Sequence, residues 1–376
     1  MKTKLAQKQT KIKKNGVPII DELLKRLVNK GASDLHLMVQ SRPILRINGL
    51  LLPQEDTPIL NPDDIEALLS QAITKDQRDA FIHEHELDAA CSISGVGRFR
   101  LNALKQRGST SLAFRLVPYE IPTIDDLRLP QICKELVQKP RGLILVTGPS
   151  GSGKSTTLAA MINHLNDNNQ RNVITIEEPI EYLFKNNKSI IHQREIGSDT
   201  SSFSKALKHS LRHDPDVIVI GELRDLATIS TAMSAAETGH LVLGTLHTYD
   251  AAQSIDRIID VFPPAQQRQV RLQLSQVLEA VLSQTLLPCL DGGRIAAFEI
   301  MLANSVIKRL IRDEKIWEIT PNIEMGVREG SQSLNQALAE LVRKNLVAKE
   351  DAILRSNDPV KLESLISVKE KQKCLY

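Results

Sequence analysis

The stretch LILVTGPSGSGKSTT, residues 143–157, decides the fold. Its first half is a continuous apolar run, Leu143 to Val146, of strand length and suited to a strand buried on both faces. Its second half, Gly148-Pro149-Ser150-Gly151-Ser152-Gly153-Lys154-Ser155-Thr156, lets successive backbone N–H groups turn toward one anion. A helix opening at Lys154 adds its positive end at the same point. Strand, glycine-rich loop and helix in that order read as a phosphate-binding loop. Lys154 can reach the β- and γ-phosphates of a nucleotide, and the Ser155 hydroxyl can coordinate Mg²⁺.

Working outward, more short apolar runs follow: NVITI (172–176), VIVI (217–220) and LVLGTL (241–246), separated by helical patterns. That alternation predicts an α/β unit with a parallel sheet covered on both faces. Beyond Pro263 the pattern reads as almost wholly helical, apart from a strand at 294–300. Before residue 118 the reading is different. Ile19, Ile20, Leu23, Leu24, Leu27 and Val28 recur at helical spacing up to Gly31, and Leu35, Leu37 and Val39 alternate as a strand. Asn48-Gly49 reads as a hairpin turn, Asn61-Pro62 as a helix start, and 98–104 with 111–117 as paired strands. The expected organisation is a basic, disordered tail (1–16), a smaller α+β domain (17–117), a proline-spaced linker (118–130) and the nucleotide domain with a helical C-terminal region (131–376).

Composition removes several classes. The chain has 376 residues, 41% hydrophobic and 25% charged, as globular proteins do. No run is long and apolar enough to span a membrane and the N-terminus lacks an apolar secretion core, so a cytoplasmic location is expected. Cys91, Cys133, Cys289 and Cys374 form no CxxC pair, which argues against a disulfide framework or a structural zinc site. The net charge of +3 hides six lysines before Gly16; the remaining 42 basic residues leave the body about three charges negative against 45 acids. With 3% aromatics there are few platforms for base stacking, so no nucleic-acid partner is expected.

Hydrolysis needs more than a phosphate loop. In an open parallel sheet, ligands lie beyond the carboxyl ends of the strands. There NVITI runs into Glu177-Glu178-Pro179-Ile180-Glu181, and VIVI runs through Gly221 into Glu222. One carboxylate can hold Mg²⁺ or its waters while another orients or deprotonates the attacking water. His240 and His247 frame a third strand, and His247 can donate to the γ-phosphate and report its loss to the next element. Lys154 together with carboxylates in the 177–181 group and at Glu222 argues against a scaffold that binds nucleotide without turnover.

GPSGSGKSTT, ITIEEPIEY, DPDVIVIGELRD and AAETGHLVLGTLHT together resemble the secretion-superfamily hexameric ATPases, most closely the type IV pilus retraction ATPases. The resemblance runs from about residue 20 to about residue 355. It implies a RecA-like core with a PAS-like N-terminal domain, and Mg-ATP hydrolysis in a homohexamer. It makes Glu181 the catalytic base and Glu222 the Walker B glutamate. Gly221 stands where many NTPases carry aspartate, which shifts Mg²⁺ binding onto Ser155 and the glutamates, and Glu178 stands where the family usually has aspartate. Arg100 and Arg115 match the arginines that complete a neighbouring subunit's site, with Arg98 and Arg107 close in sequence. Pilus-extension and type II secretion ATPases usually add a larger N-terminal region and a four-cysteine zinc insertion, which this sequence lacks. Retraction ATPases carry a motif that 306–313, VIKRLIRD, matches with Arg309 in place of asparagine. That departure leaves room for an accessory retraction paralogue. The implied setting is the inner-membrane face, with a pilus platform protein and a paralogous retraction ATPase as partners.

Overall fold

The computed structural model describes residues 19–47, 49–117 and 120–373, those beyond 367 by backbone alone. The basic tail lies outside the described residues. The chain divides into two compact units, the first ending at Tyr119 and the second running from Glu120 to Tyr376.

The first unit contains α1 (Ile20–Asn29), β1 (Asp34–Leu37), β2 (Ile44–Ile47), β3 (Leu50–Pro53), α2 (Pro62–Ala72), α3 (Lys75–Glu84), β4 (Glu86–Ile93), β5 (Gly97–Gln106) and β6 (Ser109–Val117). Its strands form one antiparallel sheet in the order β3-β2-β1-β6-β5-β4. The α1 stripe of Ile20, Leu23, Leu24 and Leu27 packs into a core with Leu101, Ala103, Phe99 and Phe114 of the sheet. At the start of α2, Asn61 and Asp64 form a reciprocal capping box, and Pro62 occupies the first turn. Val39 lies in the turn after β1 rather than in the strand. The β2–β3 hairpin closes between Ile47 and Leu50 with Gly49 at φ +83°; Asn48 is outside the described residues.

The second unit contains α4 (Ile132–Leu136), β7 (Gly142–Thr147), α5 (Lys154–Asn168), β8 (Asn172–Glu177), β9 (Ile190–Glu195), α6 (Phe203–Ser210), β10 (Val217–Ile220), α7 (Leu226–Glu237) and β11 (Leu241–Leu246). It continues through α8 (Ala251–Asp260), α9 (Pro264–Val277), β12 (Leu278–Pro288), β13 (Arg294–Leu302), α10 (Ser305–Arg312), α11 (Ile319–Met325), α12 (Leu334–Arg343), α13 (Lys349–Arg355) and α14 (Pro359–Lys373). The sheet order is β13-β12-β7-β11-β10-β8-β9, parallel except for β13. Strands β7, β10 and β11 are buried throughout. Their two-residue period divides the core: Leu143 and Leu145 pack with α6 to α9, while Ile144 and Val146 face α4 and α5.

Two expectations need correction, and two edge strands had no sequence expectation. Residues 278–288 form an eleven-residue strand, β12, paired in parallel with β7, where helix was expected. Leu278, Ala280, Val281 and Leu282 are buried as in an interior strand, and a continuous apolar run carries no period that separates strand from helix. The polar run IIHQRE forms β9, a sheet-edge strand, and β4 likewise completes the edge of the first sheet. The expected linker is largely part of the second unit, whose core buries Ile124 and Leu129.

Candidate active site

The phosphate loop leaves β7 and enters α5 through three glycines in left-handed or otherwise positive-φ conformations: Gly148 (+142°), Gly151 (+75°) and Gly153 (+92°). At Gly148 glycine is also required by space. A Cβ there would lie 2.3 Å from the Gln284 carbonyl oxygen and 2.7 Å from Ser152 Oγ. Gln284, on β12, donates from Nε2 to the Ser152 carbonyl at 2.6 Å and so buttresses the loop from below. With β12 read as helix, Gln284 gave no sign of this role in the sequence.

Lys154 lies back over its own loop, donating to the carbonyls of Gly148 (2.8 Å) and Pro149 (3.0 Å). Burial lowers its pKa from the ordinary lysine value, against the opposing pull of Glu222 and Glu181. His247 stands between Lys154 and Glu222, its Nδ1 3.4 Å from Lys154 Nζ and its Nε2 3.4 Å from Glu222 Oε1. Phosphate loop, β10 and β11 thus converge through three side chains at one sheet edge. His240 lies at the opposite end of β11, with Nδ1 2.9 Å from the Ala235 carbonyl, and takes no part.

The acidic segment divides its labour. Glu177 is turned inward, its Oε1 accepting Thr175 Oγ1 (2.6 Å) and Gln193 Nε2 (3.1 Å), and burial raises its carboxyl pKa. Glu178 and Glu222 are bridged by Arg224, whose NH1 and Nε each lie 2.8 Å from a carboxylate oxygen. Hydrogen bonding to Glu222 leads the effects that hold the guanidinium above its usual pKa. Glu181 is exposed, and its charge reaches Lys154. The segment is tethered from β9. Gln193 accepts from Phe184 N–H and donates to the Tyr182 carbonyl, while Glu195 accepts from Ile180 N–H. Thr156 and Tyr182 hydroxyls, 2.9 Å apart, join the segment to α5. Arg224 had a signal, two residues past Glu222 in the same motif; the anchors on β9 had none.

Gly221 has a steric reason. A Cβ there would sit 3.1 Å from the Ile176 carbonyl oxygen and 3.4 Å from Glu177 Cα, so β8 leaves little room for an aspartate. In the first unit, Arg100 and Arg115 are direct cross-strand partners on β5 and β6. Arg115 Nε donates to Asp34 Oδ1 at 2.8 Å while the side chain stays 68% exposed. Burial would raise the Asp34 carboxyl, but hydrogen bonds from Arg115 and Ser33 and the Arg115 charge hold it below the usual range. Like charges directly opposed on a sheet are unfavourable, and the Asp34 carboxylate offsets the Arg115 charge. In α10 the stripe Ile307, Leu310 and Ile311 is buried in the core, and Arg309 faces outward to Asp313.

Fold and site together define a phosphate-loop ATPase. Residues 11–293 match the family model described as "Type II/IV secretion system protein", and the chain belongs to that family. It is 43% identical over 340 residues to the "Type IV pilus retractation ATPase PilT" of Pseudomonas aeruginosa, covering 90% of this chain and 98% of that protein. It is 42% identical over 317 residues to a "Twitching motility protein" of Neisseria gonorrhoeae, covering 84% of each. The crystal structure of the pilus retraction motor PilT with bound ADP superimposes with a TM-score of 0.86 at 46% identity, over 92% of this chain and 99% of that one.

Proposed function

We propose that this chain is the Mg-ATP-driven motor of type IV pilus retraction, working as a homohexamer on an inner-membrane platform protein from the cytoplasmic side. The observation that carries the reading is the Lys154–His247–Glu222 cluster at the phosphate loop. Near-complete coverage of pilus retraction relatives supports the cellular role. Among the described residues no helix is long and apolar enough to cross a membrane.

On this reading the N–H groups of the phosphate loop take the nucleotide phosphates, and Lys154 exchanges the Gly148 and Pro149 carbonyls for phosphate oxygens. Glu181 accepts the proton of the attacking water. His247 exchanges its contacts when the γ-phosphate leaves and moves the turn that follows β11. Among the described residues no group of three His, Cys, Asp or Glu forms a metal cage. The donor set of Ser155 hydroxyl and Glu222 carboxylate suits Mg²⁺, which keeps waters and takes phosphate oxygens. Those two residues would hold it, and its chemistry is to neutralise charge on the transferred phosphoryl group. Arg100 and Arg115 serve a neighbouring subunit's nucleotide.

A strain deleted for this chain tests the role through piliation and twitching. Retained or excess pili with lost twitching support retraction. Absent pili assign an extension motor, and unimpaired retraction assigns an accessory paralogue.

A further inference from the structure

A buried polar chain runs beneath the site. Thr147, the residue before the phosphate loop, has its hydroxyl 2.8 Å from that of Ser283 on β12 and 3.5 Å from that of Ser254 on α8. Ser254 Oγ lies 2.6 Å from both the Thr248 hydroxyl and the Asp250 carbonyl. Directly opposite Ser283, on β13, Glu299 accepts the Ala251 N–H at 2.8 Å. Asp250 caps the same helix by accepting the Gln253 N–H at 2.7 Å. The turn His247–Asp250 is therefore held at both ends, by His247 at the site and by Glu299 and Ser254 beneath it.

We propose that Glu299 is a positioning residue for ATP hydrolysis. It fixes the first turn of α8, and through it His247, in register with the strand that carries the phosphate loop. The inference rests on the ATPase reading above. Among the described residues, the hydrogen bond its carboxylate makes is the one it accepts from the Ala251 N–H. Glu299 is almost wholly buried, and a glutamine of the same shape would avoid the cost of burying a charge. What a carboxylate adds is a charge-assisted bond to a helix N-terminus. Burial pushes its pKa up to about 7; the Ala251 N–H opposes this, and Asp250 and Glu324 add to it. The charged groups around it are Asp250 on α8 and Glu324 on α11, the latter paired with Lys361 of α14 at 2.5 Å. Glu299 thus ionises in the neutral range, and the register tightens as pH rises.

The test compares the full-length parent with Glu299→Gln at pH 6 and pH 8. At pH 6 the two have similar kcat; at pH 8 the variant falls about fivefold behind, as expected when a charge-assisted bond becomes neutral, with KM for ATP unchanged. Ser254→Ala, which cuts the hydroxyl chain, lowers kcat at both pH values with KM kept, and it carries the test should Glu299→Gln fail to fold. Amide exchange at Ala251 needs no turnover: at pH 8 its protection, taken relative to the other amides of α8 so that global stability cancels, falls in Glu299→Gln compared with the parent. A parent-to-variant kcat ratio that is the same at both pH values overturns the proposal, as does unchanged relative protection at Ala251. A parent that binds ATP without hydrolysing it refutes the ATPase reading instead, and the exchange measurement then still decides the positioning.

Discussion

Replacing Glu299 by glutamine will remove a pH-dependent burden on the stability of the second unit. The carboxyl is raised from an ordinary 4.5 to about 7 by burial. Between those values the folded unit keeps a proton that the unfolded chain has released, so stability falls as pH rises and levels off above 7. Each pH unit across that interval costs about 1.4 kcal/mol, so the full effect is roughly 3 kcal/mol, most of it developing between pH 5 and pH 7. Glutamine does not titrate, so the variant gains on the parent by about that amount as pH rises from 5 to 8. Urea unfolding is followed through helical circular dichroism, since α4 to α14 lie in the second unit against α1 to α3 in the first. A stability difference that is constant from pH 5 to pH 8 would refute both the burial argument and the raised carboxyl. The direction is opposite to that of kcat: ionisation weakens the fold while improving the site.

Three further outcomes follow from the site geometry. Gly148→Ala forces a Cβ to 2.3 Å from the Gln284 carbonyl, so the loop must shift and nucleotide affinity should fall at least tenfold, measured by titration with ADP. Glu181→Gln and Glu222→Gln should each still bind ATP but hydrolyse it at least ~100-fold more slowly, and the double variant should lose far less than the product. Unchanged turnover in either removes that residue from the site. Lys154→Ala subunits and subunits lacking both Arg100 and Arg115 should each be nearly inactive alone. Verified mixed oligomers should regain activity, because loss of a trans arginine costs on the order of 10³-fold in phosphoryl transfer. Mixed oligomers as inactive as either parent would refute the trans assignment.

Much of the site was legible because its signals are local. Gly148, Gly151 and Gly153 reveal a backbone conformation that other residues rarely adopt, and buried runs such as VIVI need only their own composition to read as interior strands. Glu222 and His247 follow from their places at strand ends, since parallel strands bring those ends to one edge. The tertiary structure decided everything that depends on a partner distant in sequence. Gln284 supports a loop 132 residues before it, Glu299 holds a helix 48 residues before it, and Arg224 joins carboxylates from two strands. Even β12 was hidden, because a strand buried on both faces loses the alternation that would distinguish it from a buried helix. Backbone preference is set by neighbouring residues and can be read along the chain. The polar atoms that meet in the core are chosen by packing, and packing exists only once the sheet has formed.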